Sequence, residues 1–301
     1  MSVIWGIPYL LIRIAVSGVS PATLVFGRTS IAALILMPIV LRRGGWRGLG
    51  RRWVPLIAFA AAEVAIPWLF LSTAEQRISS SLAGLLISAV PLVGTLIAPL
   101  FGNRESIGPS GFAGLLIGLA GVGAIVGFDL HASAGAALLE MVVVAVGYAV
   151  GPAIQSRYLS EVPAVTVTGI SVTLCALAYA PAAILQRPES LPAAGVIASI
   201  IVLGVVCTAL AFILFFALIG EIGPVRATVI TYINPAVAAV LGVTVLQERF
   251  TFGMGAGFVL VIVGSVLATR RRRPAEAAER PFAEPVPAPR ARAEGESQDV
   301  L

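Results

Sequence analysis

Long apolar stretches alternate with short polar interruptions along most of this chain. A helix needs about 20 apolar residues to span about 30 Å of hydrocarbon. Cutting at charges, prolines and turn residues gives ten candidate helices: roughly 2–17, 21–41, 53–72, 79–101, 107–127, 135–157, 164–185, 193–219, 224–246 and 252–269. The pattern stops after Thr269. The segment "RRRRPAEAAERPFAEPVPAPRARAEGESQDVL" is rich in Pro, Glu, Arg and Ala, which predicts a disordered tail over 270–301. The first candidate is short, about 24 Å at 1.5 Å per residue. A signal peptide is the alternative there. It lacks a basic n-region, and Arg13 stands where small residues should follow the apolar core. A short true helix is preferred. The hypothesis that the native start lies upstream of Met1 is tested by N-terminal sequencing of the native protein.

Composition agrees with a polytopic, all-α membrane protein. The chain is 58% hydrophobic and 12% charged, with mean hydropathy +0.98. Soluble domains carry about 25% charged residues. All 20 basic residues are Arg. Without Lys there is neither a phosphate-binding Walker A loop nor a Schiff base. One histidine, His131, excludes an HExxH zinc site. Cys175 and Cys207 lie in apolar runs and read as small packing residues. No metal or cofactor is expected.

The basic balance does not point to nucleic acid. Arg42, Arg43, Arg47, Arg51 and Arg52 form one cluster, and Arg270 to Arg273 form another, both flanking apolar segments. With the N-terminus cytoplasmic, these clusters, Arg104 and Arg157 lie inside. The other side receives Arg77, Arg187 and Arg249. Both termini are therefore expected in the cytoplasm.

The chain also repeats itself. Aligning 82–123 with 226–266 matches Pro91 with Pro235 and Ala83 with Ala227. After a one-residue gap Glu105 matches Glu248, Gly114 matches Gly257 and Gly121 matches Gly264. Upstream, Pro21 matches Pro163, and Pro38 lies close to Pro181. A five-helix unit present twice enters its second copy from the other side, which makes the repeats inverted. The expected units are 1–127 and 135–269. Pro91 and Pro235 are candidate helix breaks.

The stretch "GPVRATVITYINPAVAAVLGVTVLQERFTFGMGAGFVLVIVGSVLA" resembles the closing helices of an EamA-type transporter of the drug/metabolite transporter superfamily. "SSSLAGLLISAVPLVGTLIAPLFGNRES…GFAGLLIGLAGVGAIV" resembles the end of that family's first repeat. "WGIPYLLIRIAVSGVSPATLVFGRTSIAALIL" resembles its Trp-Gly opening helix and Arg-bearing second helix. The resemblance covers about residues 3–269. It implies ten helices in two inverted five-helix repeats around a central cavity. The chain departs from the family pattern in its short N-terminus and in Asn103-Arg104 before Glu105.

Charges at membrane depth are functional candidates. Glu63 lies near the middle of its span and reads as a proton acceptor or a ligand for a substrate cation. The structural alternative is a partner for Arg28. Arg28 suits a substrate carboxylate, while the family pattern favours a role at a helix interface. Glu140 and Arg13 lie close enough to span ends to snorkel, and Glu140 is a second proton candidate. Trp5 and Tyr9 share a helix face, Trp68 follows Pro67, and Tyr148, Tyr232 and Asn234 are candidate cavity-lining residues. Trp46 and Trp53 border the basic loop and read as interface anchors. Glu248 reads as a helix-end and repeat-packing residue. Small-residue spacings such as Gly114-x3-Gly118 and Gly253-x3-Gly257 allow close helix approach within the chain, with a homodimer as the alternative.

The leading reading is a secondary transporter in a bacterial-type inner membrane. It would carry small polar or amphipathic metabolites such as amino acids, with proton coupling through Glu63. Export is preferred because many members of the resembling family are exporters. An uncoupled facilitator or an uptake permease is the nearest alternative. A membrane scaffold acting through residues 274–301 is more distant. So is an intramembrane enzyme, because the spans hold no paired acids, His cluster or metal spacing.

Overall fold

Hydrocarbon offers no hydrogen bonds, so each apolar stretch must satisfy its backbone internally, and a helix does so within one segment. The computed structural model describes residues 1–42, 44–45, 49–101, 108–127, 132–222 and 230–269, without the side chains of 132–134, 222, 230 and 231. The expected tail, Trp46, Glu105 and His131 lie outside the described residues. The segments are α1 (Ser2–Ala15), α2 (Pro21–Arg42), α3 (Trp53–Ala74), α4 (Ser80–Phe101), α5 (Pro109–Val126), α6 (Ala132–Tyr158), α7 (Ala164–Leu185), α8 (Ala194–Glu221), α9 (Ile230–Val245) and α10 (Phe252–Thr269). Among the described residues, eight helices are long and apolar enough to cross a membrane; Ser2–Ala15 and Tyr232–Val245 are shorter apolar helices.

Among the described residues, three helices depart from α geometry. In α3, Ala60–Ala65 is a π-helical turn just before Pro67. Proline has no N–H to close the α bond to the carbonyl four residues back, so the ladder widens there. In α8, Val205–Leu210 is a second π turn, where Thr208 Oγ1 donates to the Leu203 carbonyl at 2.8 Å. In α4 the helix stops at Ile87 and restarts at Val90, beside Pro91, with Ser88 Oγ donating to the Leu85 carbonyl at 2.5 Å. Pro235 behaves differently. It lies in the second turn of α9, which runs without interruption from Ile230 to Val245. There the missing N–H removes one bond near the start of the described helix.

The helices pair in a regular way. α5 packs on α10, α2 on α7, and α4 on α9. α1 contacts α8 and α9, while α6 contacts α3 and α4. The α5–α10 seam is built from glycine. A Cβ on Gly257 would lie 2.5 Å from the Gly121 carbonyl oxygen, and one on Gly121 would lie 2.7 Å from the Gly257 oxygen. A Cβ on Gly114 would meet the backbone nitrogen of Ala268 at 2.5 Å. The two backbones therefore touch directly, which only glycine permits. Gly114, Gly118 and Gly257 thus serve packing within the chain.

The interior is apolar, with Ile12, Leu24, Leu36, Leu85 and Leu203 fully covered. The outside is apolar as well. Leu34, Leu100, Leu119 and Leu185 are at least 67% exposed on different helices. Such a surface suits acyl chains rather than water.

Candidate functional site

The polar groups inside the bundle arrive on different helices and meet around Arg28. This residue of α2 is 5% exposed. Its Nη2 donates to Thr208 Oγ1 on α8 at 3.1 Å, and its guanidinium carbon stands 3.6 Å from the ring centroid of Trp68 on α3. Thr208 accepts because its own proton goes to the Leu203 carbonyl. The wide π turn places the hydroxyl there. A planar cation over an aromatic face is attracted by the ring quadrupole, and more strongly where water is excluded. Arg28 Nε is buried without a hydrogen-bond partner.

Glu63 sits in the π turn of α3. Its carboxylate presses on Gly151 of α6, where any Cβ would overlap Oε2. That oxygen is buried and makes no hydrogen bond. Gly147 carries the same helix contact one turn earlier: a Cβ there would lie 2.5 Å from the Ala62 carbonyl oxygen. Between these glycines, Tyr148 packs against the cluster containing Trp68 and Val64, within electrostatic reach of Glu63 and Arg28. Tyr9 on α1 is 6% exposed and within reach of Tyr148 and Arg28. Five helices thus contribute Tyr9, Arg28, Glu63, Trp68, Tyr148 and Thr208. Arg28 and Glu63 are not partners. Among the described residues, the ion pairs are Arg52–Glu161 and Arg77–Glu140. A cation and a carboxyl group therefore stand near Tyr148 without pairing with each other.

The remaining candidates lie elsewhere. Trp5 is half-buried against Phe212 and Phe215 of α8, with centroids 5.7 and 4.7 Å away. Tyr232 and Asn234 are half-buried on α9, and Pro235 is buried. The Asn234 carbonyl oxygen would stand 3.0 Å from a Cβ on Gly6, so α1 and α9 approach closely there. Pro91 is half-buried at the break in α4. A cavity of about 230 Å³ lies between the second half of α4 and α6, lined by Gly94, Ala98, Ala149, Ala153 and Arg157.

One end of the bundle carries charged fastenings. Glu140 accepts from Arg77 Nη1 at 2.8 Å and is 14% exposed, so it is covered by the protein rather than snorkelling outward. Arg13 also turns inward and donates to the Glu75 backbone carbonyl, capping the C-terminus of α3. Glu248, after α9, accepts from the backbone N–H groups of Ser80 and Ser81 at 2.8 and 2.9 Å and from Ser81 Oγ at 2.5 Å. It therefore caps the start of α4. Glu248→Ala leaves those donors unpaired and is expected to cost about 1–2 kcal/mol. Thermal unfolding in detergent checks this: a lowered midpoint is predicted, with Glu248→Gln in between, and an unchanged midpoint opposes the capping role.

Two residues here escape a reading of the sequence. Thr208 is an uncharged residue in an apolar run. Glu75 falls just past the expected end of its span at residue 72, yet it is 0% exposed. The available signal was its register: Trp68, Leu71 and Glu75 share one helical face.

The profile of the EamA-like transporter family matches residues 1–127 and 135–270. An uncharacterized transporter of Archaeoglobus fulgidus is 26% identical over 274 residues, covering 89% of this chain and 95% of that protein. The uncharacterized inner membrane transporter YedA of Escherichia coli K12 is 26% identical over 245 residues, covering 80% of this chain and 78% of YedA. The uncharacterized transporter YvbV of Bacillus subtilis is 23% identical, covering 92% and 91%. A solved crystal structure superposes with a TM-score of 0.61 at 23% identity, covering 89% of this chain and 97% of that one, a likeness of fold alone. The family and these relatives are transporters, not enzymes. With its apolar helices, this chain is a multi-pass membrane protein, and it belongs to the EamA-like transporter family.

Proposed function

We propose that the protein is a secondary transporter of the bacterial inner membrane. It moves small polar or amphipathic metabolites such as amino acids by alternating access, in the export direction. The observation that carries this reading is the polar centre of the bundle, where buried Arg28, held by Thr208 and Trp68, and the half-buried Glu63 both lie within reach of Tyr148 without pairing with each other. The Arg28 cation and a Glu63 carboxyl that releases its proton as a solute's ammonium group arrives suit a zwitterionic solute. We further infer ten spans, arranged as two inverted five-helix repeats with cytoplasmic termini. Exchanging α1–α5 with α6–α10 carries the helix pairings into one another. It also brings the π turn of α3 onto that of α8. These regularities and the arginine asymmetry support the arrangement.

Glu63 is the group through which we infer proton coupling. In proteoliposomes with an imposed pH gradient, flux of a defined amino-acid mixture is expected to depend on the gradient. Glu63→Gln should reduce the gradient-driven part at least about tenfold, or about 1.4 kcal/mol. Unchanged gradient-driven flux in Glu63→Gln removes Glu63 as the coupling residue. Wild-type flux indifferent to the gradient turns the reading to a facilitator.

A further inference from the structure

Glu75 is the most completely enclosed carboxylate among the described residues. Its residue exposure is 0%, and both Oε1 and Oε2 are buried without a hydrogen-bond partner. Removing a charged carboxylate from water without a partner is strongly unfavourable. Among the described residues, the charged and titratable groups within electrostatic reach of it come from four other segments. From α1 come Tyr9 and Arg13, from α2 Arg28, from α6 Tyr148, and from the segment after α9 Glu248. α4 brings Ser80 and Ser81, whose backbone donors are already held by Glu248. Arg13 spends its Nη1 donor on the Glu75 backbone carbonyl, and no ion pair joins its guanidinium to the Glu75 side chain. Burial holds the Glu75 carboxyl well above the usual range, and Glu248 pushes the same way; Arg13 and Arg28 oppose them.

We propose that Glu75 is a second proton-binding group, and that its protonation holds closed the end of the bundle where α3, α4 and the segment after α9 meet. This deepens the transporter reading, on which its role in a transport cycle rests. The sign follows from burial. The closed arrangement keeps the carboxyl dry and favours its neutral form, while an opened arrangement hydrates it and lets the proton leave. Closure is therefore favoured at low pH and is lost as pH rises through the closed-state pKa. Glu248 lies within reach of Glu75 and fastens α4 to the α9 end, so a charge appearing on Glu75 repels the group that holds the seam. By the arginine asymmetry this end faces away from the cytoplasm. There an entering proton would meet Glu75 before Glu63.

The test uses the full chain in lipid nanodiscs and needs no substrate. Hydrogen exchange over residues 75–82 and 242–248 is followed against pH and corrected for the intrinsic pH dependence of amide exchange. Wild type should open as pH rises. Glu75→Gln, locked in the neutral form, should stay protected throughout. Infrared difference spectra, recorded in a Glu63→Gln background so that Glu63 contributes nothing, supply a second readout: a protonated carboxyl band should be present in Glu63→Gln and absent from the Glu63→Gln/Glu75→Gln double variant. The proposal is overturned if Glu75→Gln opens with pH as wild type does, if wild type shows no opening, if the response disappears with Glu248→Gln instead, or if the band persists without Glu75. None of these outcomes bears on whether the protein carries solutes, so the transporter reading stands or falls separately.

Discussion

Gly264→Leu and Gly121→Leu are expected to yield no monodisperse protein in detergent. A Cβ on Gly264 would collide with the backbone of Gly118, and one on Gly121 would lie 2.7 Å from both the Gly257 oxygen and the Val261 nitrogen. Backbone cannot rotate aside as a flexible side chain can. Leucine must therefore push α5 and α10 apart along their glycine seam, at a cost of about 3 kcal/mol or more. Gly123→Leu is the control. It lies on α5 with Gly121, but nothing stands within 4 Å of its Cβ position. Size-exclusion profiles and thermal unfolding of the three variants decide the matter. A well-behaved Gly264→Leu would mean that the seam is not the determinant described above.

Arg28→Lys is the second large effect, and it concerns function more than folding. Lysine keeps the positive charge but loses the planar fork. It cannot cover the Trp68 face and reach Thr208 in the same way. The variant should remain folded, with an unfolding midpoint near wild type, while flux falls at least about tenfold. Arg28→Ala should lose flux altogether and lose stability as well, because the Thr208 hydroxyl and the Trp68 face are left without their partner. Normal flux in Arg28→Lys would assign Arg28 to packing between α2, α3 and α8.

Much of this fold was legible from the alternation of apolar runs and breakers. The span carrying Glu63 was placed within a few residues of Trp53–Ala74, because hydrophobic length and a charged boundary fix a membrane helix strongly. The glycine seam was legible as spacing, since small residues at four-residue intervals mark one face. Its partner helix was not, because spacing carries no address. The surroundings of Arg28 were partly legible. Glu63, Trp68 and Tyr148 stood out as polar or aromatic residues in apolar runs. Their arrangement depends on two π turns, and the one in α8 has no proline to announce it. The structural alternative of an Arg28–Glu63 pair is not realised, for the same reason: the π turns direct Arg28 to Thr208 and Glu63 to Gly151. Glu75 was hidden because a charge near a helix end normally marks the water interface. Here the neighbouring helices close over it.

Mass spectrometry of solute exchange tests the central claim most directly. Proteoliposomes holding wild type or Arg28→Lys are loaded with a broad mixture of amino acids and related small metabolites. The account predicts that wild type releases a restricted set of polar solutes and that Arg28→Lys releases the same set far more slowly. Identical release from wild type, Arg28→Lys and protein-free vesicles would contradict it.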